Sequence, residues 1–171
     1  MMGLPWEGAL AGLCLLRFAA AFITQPDFAP EKFYGTWYTV GTALDSGYVT
    51  NEHLYRVTVE AGEKDSLIFR SPVAEQNCKM ADVKLTLAEK VGKYQRIVSG
   101  KPTTFTVVET DYISFAIMGT ESKDLRVLHL YTRAPEIPKD IREKFKELVR
   151  CAQFPTDSVM FHNTEGECPL N

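Results

Sequence analysis

Residues 103–133 read TTFTVVETDYISFAIMGTESKDLRVLHLYTR. Three runs rich in β-branched and aromatic residues, 103–109, 114–120 and 125–133, are parted by Thr110-Asp111 and by Glu121-Ser122-Lys123-Asp124. Asp, Ser and Thr suit tight turns because their side chains satisfy nearby backbone groups, so each run predicts a strand and each short breaker an antiparallel return. The same texture extends back to Gly35, with strands predicted near 36–43, 54–60, 66–71, 79–87 and 93–98 and with Ala61-Gly62-Glu63-Lys64-Asp65 and Ser99-Gly100-Lys101-Pro102 among the breakers. Eight short strands in succession predict an all-β protein, and a sheet of that size can close on itself around either one small ligand or its own packed side chains.

Beyond Pro135 and Pro138 the period changes. Ile141, Phe145, Leu148, Val149 and Ala152 recur at helical spacing with charged residues between them, which predicts one amphipathic helix beginning near Pro138 and ending before Phe154-Pro155. Its single apolar stripe must lie on the outside of the finished sheet, because the interior of so small a barrel does not admit a helix. A last short strand is expected at 158–161.

With 45% hydrophobic and 24% charged residues in 171, the chain has the composition of a single globular domain. The formal charge of -3, with both signs mixed along the sequence, offers no basic stripe for a phosphate backbone, so nucleic acid is not an expected partner. The apolar segment from Ala9 to Ala21 is too short to span a bilayer and ends in three alanines, which predicts a secretory signal over residues 1–21 and a mature domain over 22–171. No membrane span is expected in that domain, and the expected location is extracellular.

Three motifs stand in order along this framework: Gly35-Thr36-Trp37 at the first strand, Thr110-Asp111-Tyr112 in the turn before the seventh, and Arg133 at the end of the eighth. Together they resemble the signature of the lipocalins, across nearly all of 22–171. The resemblance implies an eight-stranded antiparallel up-and-down β-barrel with one C-terminal α-helix packed outside. It also implies that Trp37 plugs the closed end and that Arg133 stacks over it, where a guanidinium gains cation–π attraction while donating to nearby carbonyls. These motif residues are expected to serve the fold and to bind nothing.

Four cysteines occur, and loss of Cys14 with the leader leaves Cys78, Cys151 and Cys168. One bridge and one thiol is the simplest outcome. Cys151 falls in the helical pattern whereas Cys168 lies in a tail that a bridge would tie down, so the expected pair is Cys78–Cys168, which also resembles the usual lipocalin bridge, with a free thiol at Cys151. Cys-His metal spacing is absent, and neither a metal nor a cofactor is expected.

Alternation assigns the interior once Trp37 is placed there. Thr39 and Gly41 are then expected to follow Trp37 inward. Leu128 and Leu130 make an outer seat for the helix, which turns Val127, His129 and Tyr131 toward the interior, and Phe105 and Val107 are the apolar parity of the sixth strand. The resemblance adds Tyr55 and Val57 on the second strand and Ala116 and Met118 on the seventh. On the third, either Ile68 and Arg70 or Leu67 and Phe69 point inside. His129 is expected either to meet a ligand or to pair with Tyr131, whereas His53 and His162 are expected at the solvated surface.

An aromatic and aliphatic lining with polar tips at Thr39, Tyr55, His129 and Tyr131 predicts carriage of a small hydrophobic ligand of the retinoid, steroid, fatty acid or odorant class. The runner-up is an isomerase, since Gln25-Pro26-Asp27-Phe28 and the run from Val107 to Tyr112 resemble the catalytic, prostaglandin-isomerising branch of the family. In that branch a thiol on the second strand is the nucleophile, and Tyr55 stands at that place here, so an enzyme is not expected. A third class is an interaction protein that engages a cell-surface receptor through the rim, where Tyr48, Val49 and His53 flank the longest loop. A monomer or weak dimer is expected.

Overall fold

The structure, a computed structural model, describes residues 21–46, 55–73, 77–162 and 168, with Tyr55 described in its backbone only. The chain forms a short helix α1 (Pro30–Phe33), strands β1 (Gly35–Leu44), β2 (Tyr55–Ala61), β3 (Leu67–Val73), β4 (Lys79–Leu87), β5 (Lys93–Val98), β6 (Lys101–Thr110), β7 (Phe115–Ser122) and β8 (Leu125–Thr132), helix α2 (Lys139–Cys151) and strand β9 (Val159–Phe161). Neighbouring strands pair antiparallel from β2 through β8, β8 pairs with β1, and β1 returns to β2. The barrel is therefore closed, as the strand count allows and the family resemblance implies. β1 is shared along its length: residues 35–39 pair with β2, and residues 41–43 pair with β9, which extends the sheet beyond the reach of β2.

Two apolar clusters lie on opposite faces of this one sheet. On the outside, Ile141, Phe145, Leu148 and Val149 of α2 pack with Ala152 and Phe154 on Val40, Ala43, Phe115, Ile117, Leu128 and Leu130. Each fully buried side chain of this size contributes roughly 1.5 to 3 kcal/mol, so the stripe suffices to hold α2 against the barrel. On the inside, Trp37, Val57, Val59, Leu67, Leu85, Tyr94, Val107, Ala116 and Met118 form the floor with Phe28 and Phe33. α1, which the sequence pattern did not announce because it is one turn long, brings Phe33 under Trp37 at 5.3 Å between ring centroids.

The motif residues act as expected. Trp37 is wholly buried, its indole N–H donates to the Phe33 carbonyl at 2.8 Å, and the Arg133 guanidinium lies 3.6 Å from its ring centroid. Arg133 also donates to the carbonyls of Tyr112, Thr36 and Lys32, tying β1, α1 and the β6–β7 turn together. Gly35 has a φ of +104° and so occupies a backbone region that favours glycine; a Cβ there would come within 3.2 Å of the same guanidinium. In the turn, Asp111 Oδ1 accepts from the backbone N–H groups of Ile113, Ser114 and Phe115 at 2.8 to 3.0 Å. Although burial pushes its carboxyl upward, these bonds and the Ser114 hydroxyl hold it below the ordinary value.

Two expectations are not met in the full chain. The structure brings Cys78 and Cys168 together as a disulfide, with Cα atoms 5.6 Å apart, but no described cysteine carries a thiol. Cys151 is disulfide-bonded as well, to a partner outside the described residues. The thiol is expected of a chain cut after residue 21, whereas the full chain still carries Cys14 and so all four cysteines. Gly41 also does not face inward, because β1 carries a bulge: Thr39 pairs with Tyr131 but Gly41 with Leu130, leaving Val40 extra. That extra residue shifts the phase by one, and a Cβ on Gly41 would lie 3.3 to 3.4 Å from Leu130, Phe161 and Phe145, on the helix side.

Candidate functional site

At the floor Trp37, Tyr94, Val107 and Ala116 are fully buried and Met118 nearly so. Burial pushes the Tyr94 hydroxyl up to about 12, so it remains a neutral phenol at physiological pH. Phe69, Val83, Leu87, Phe105 and Tyr131 pack against this cluster yet keep part of their surface uncovered. The third-strand ambiguity resolves toward Leu67 and Phe69. Ile68 and Arg70 take the other face, where Arg70 forms a two-pronged pair with Asp82 at 2.8 and 3.1 Å.

The remaining sequence-predicted residues fall as follows. Val57 and Val107 are buried in the inner cluster, and Thr39, half-buried, sits opposite Tyr131 on one side and Tyr55 on the other. Tyr55 is described only through that pairing. Val127 is buried and opposes Leu44 and Thr120. Phe105 opposes Tyr94, which confirms the parity of the sixth strand. Tyr48, Val49 and His53 lie outside the described residues.

His129 lies on β8 between Met118 of β7 and Thr42 of β1. Its ring centroid is 6.2 Å from that of Tyr131, tilted by 46°, without a hydrogen bond between the two. The Nδ1 atom is buried and has no hydrogen-bond partner among the described residues. Burial, reinforced by the neighbouring His162 imidazole, pushes the group down to about 4, so His129 is neutral at physiological pH. The ring sits deep in the protein although the residue keeps some uncovered surface.

His162 is a residue that the sequence reading misplaced. It is 8% exposed, and its Nε2 lies 2.7 Å from the Thr42 hydroxyl. Its backbone N–H donates to the Val40 carbonyl, so the β9 ladder runs one residue past the strand. Val159 and Phe161 face the outer cluster, and alternation then turns Met160 and His162 the other way. The signal was present in that short strand, but the expected element stopped at 161. Among the described residues no group of three or more His, Cys, Asp or Glu is arranged to hold a metal ion, and no helix is long and apolar enough to cross a membrane.

A closed eight-stranded barrel, floored by an Arg-capped Trp and flanked by one helix, defines the class of β-barrels that enclose small molecules. The chain belongs to the lipocalin / cytosolic fatty-acid binding protein family, whose model matches residues 34–165. It is 27% identical over 179 residues to the Prostaglandin-H2 D-isomerase of Felis catus, covering 98% of this chain and 93% of that protein. It is 31% identical over 132 residues to Major urinary protein 20 of Mus musculus, covering 72% of each. The solution structure of lipocalin 12 from rat epididymis superposes with a TM-score of 0.73 at 16% identity, covering 87% of this chain and 93% of that one, a likeness of fold.

Proposed function

We propose that the protein is an extracellular carrier that holds a small, mainly apolar molecule in the interior of the barrel, with His129 as the polar contact. The observation that carries this reading is the buried, unpartnered Nδ1 of His129 among inward side chains that keep uncovered surface. A polar atom in that position costs about 1 to 3 kcal/mol unless something bonds to it, and a ligand group entering the interior supplies that bond. A neutral imidazole donates or accepts one hydrogen bond without charge, which suits a hydroxyl or carbonyl on a retinoid, steroid or odorant skeleton better than a lone carboxylate. The leader at 1–21 and the Cys78–Cys168 bridge fit an oxidising, extracellular setting.

Replacement of His129 by Leu tests the contact. For a ligand with a hydroxyl or carbonyl head, affinity is expected to fall about tenfold, the equivalent of one hydrogen bond, while a wholly apolar fluorescent probe binds as before. Equal loss of both classes would mean that His129 only shapes the wall. The same variant separates a pH effect. The folded value near 4 lies below the unfolded 6.5, so the unfolded chain binds the proton more tightly and stability rises with pH through this range. His129 therefore contributes stability that is complete above about pH 6.5 and is lost as pH falls toward 4, up to roughly 3 kcal/mol. Chemical denaturation at pH 7 and pH 4 is expected to show that loss in the parent and a smaller one in His129→Leu.

The isomerase reading draws on the likeness to the feline enzyme over most of the chain. Against it, Tyr55 stands where that branch carries its thiol. Prostaglandin H2 turnover at the solvent background is expected, and clean turnover above it would reverse the assignment.

A further inference from the structure

Phe22 is buried more deeply than the residues beside it. Its ring is 2% exposed, while Ala21 is exposed and Ile23 is 41% exposed. The ring lies on the outer face of β7 against Gly119, where an added Cβ would come within 2.1 Å of it, so the slot exists only with glycine at 119. Phe154 faces the ring at 6.3 Å between centroids, and the Arg126 guanidinium lies 4.9 Å from the Phe22 centroid and 5.2 Å from that of Phe154. The backbone nitrogen of Phe22 donates to Glu121 Oε2 at 3.1 Å, and the other carboxylate oxygen meets Arg126 at 3.5 Å. Glu121 is largely shielded, its side chain 16% exposed. The arm that follows is pinned at Gln25, whose N–H donates to the Val107 carbonyl at 2.8 Å and whose side-chain oxygen accepts from the Thr110 N–H.

The bond that precedes this slot follows Ala19-Ala20-Ala21, a small-x-small run of the kind that a signal peptidase cuts. We propose that the secreted chain begins at Phe22 and that Glu121 is the receptor for its new α-ammonium group. This rests on the secretory reading above. In the cut, water adds across the Ala21–Phe22 peptide bond; Ala21 leaves with the carboxylate, and Phe22 keeps the nitrogen, which takes up a proton. A backbone N–H with one hydrogen and no net charge thereby becomes a cation with three donors, already at hydrogen-bond distance from a shielded carboxylate. Processing and folding are then linked at one residue: the ring anchors the arm in its slot, and the charge created by cleavage locks it. Arg126 shares the carboxylate and covers the ring, so the lock is a three-membered cluster of ammonium, carboxylate and guanidinium drawn from the arm, β7 and β8.

The test takes the protein secreted by cells that express the full chain. N-terminal sequencing and intact mass are expected to give Phe22 as the first residue. Acetylating the α-amine, which keeps one N–H but removes the charge, is expected to lower Tm by about 2 to 4 °C at low salt, the size expected for roughly 1 kcal/mol in a domain of this length. In Glu121→Gln the same acetylation is expected to shift Tm by less than half as much, and the unmodified α-amine of that variant is expected to acetylate faster. A secreted chain that starts elsewhere, or an acetylation shift that is absent or equal in Glu121→Gln, overturns the lock and leaves the secretory reading standing. A chain that stays in the cell with its first residues and all four cysteines overturns the secretory reading and the lock together.

Discussion

Replacing Cys78 and Cys168 together by Ser is expected to lower the stability of the protein by about 4 to 5 kcal/mol. The two positions are 90 residues apart in sequence, and a loop that long, once released, returns a large conformational entropy to the unfolded chain. For a domain of this size the change corresponds to a fall in Tm of about 10 to 15 °C. The native barrel changes little, because neither Cys78, just outside β4, nor Cys168 lies in a strand of the sheet. The expected signature is therefore a lower denaturation midpoint with an unchanged β-rich circular dichroism spectrum at low denaturant. A midpoint within about 1 kcal/mol of the parent would mean that the unfolded chain is already constrained elsewhere.

Trp37→Ala is expected to cost about 3 to 5 kcal/mol, since it empties the largest wholly buried side chain at the floor. Three losses coincide. The indole no longer packs on Phe33, the Phe33 carbonyl loses its N–H donor, and Arg133 loses the ring beneath its guanidinium. Trp37→Phe keeps most of the packing and is expected to cost less than half as much, because the deficit is then chiefly one buried carbonyl without its donor. Denaturation followed by far-ultraviolet circular dichroism checks both, since the variants lack the fluorophore. A small effect of Trp37→Ala would show that α1 and Arg133 close the floor without it.

How much of this was legible in the sequence depends on how local each feature is. The strands and α2 were legible because alternation and helical spacing are properties of neighbouring residues, and the motif from Gly35 to Trp37 together with Arg133 fixed which face was inside. The β1 bulge was not, because nothing near Val40 marks an extra residue; only the pairing with β8 reveals it, and it reversed Gly41. His162 was misplaced for the opposite reason. Its surroundings, Thr42 and His129, are 120 and 33 positions away and meet only through β9, a strand too short to carry a firm pattern. Cysteine counting depended on where the chain is cut, a matter of processing and not of folding: the thiol at Cys151 is expected of the cut chain, whereas in the full chain Cys151 is bridged. His129 was singled out as an inward imidazole, but its unpartnered Nδ1 and its neutrality needed three-dimensional packing to appear.

The site is separable from the floor by volume. Ala116 is fully buried among the floor residues, so a larger side chain there would strain a packed region. Val83 on β4 faces the same interior but keeps uncovered surface, so an indole there has room. The central claim is that the interior holds a small apolar molecule, and titration of an apolar fluorescent probe into the secreted protein and into Val83→Trp tests it most directly. The account predicts saturable one-to-one binding to the parent, with energy transfer from Trp37. It also predicts loss of that binding in Val83→Trp, with the β-rich fold and the denaturation midpoint nearly unchanged. No saturable binding by the parent, together with severe destabilisation of Val83→Trp, would show a filled barrel and contradict it.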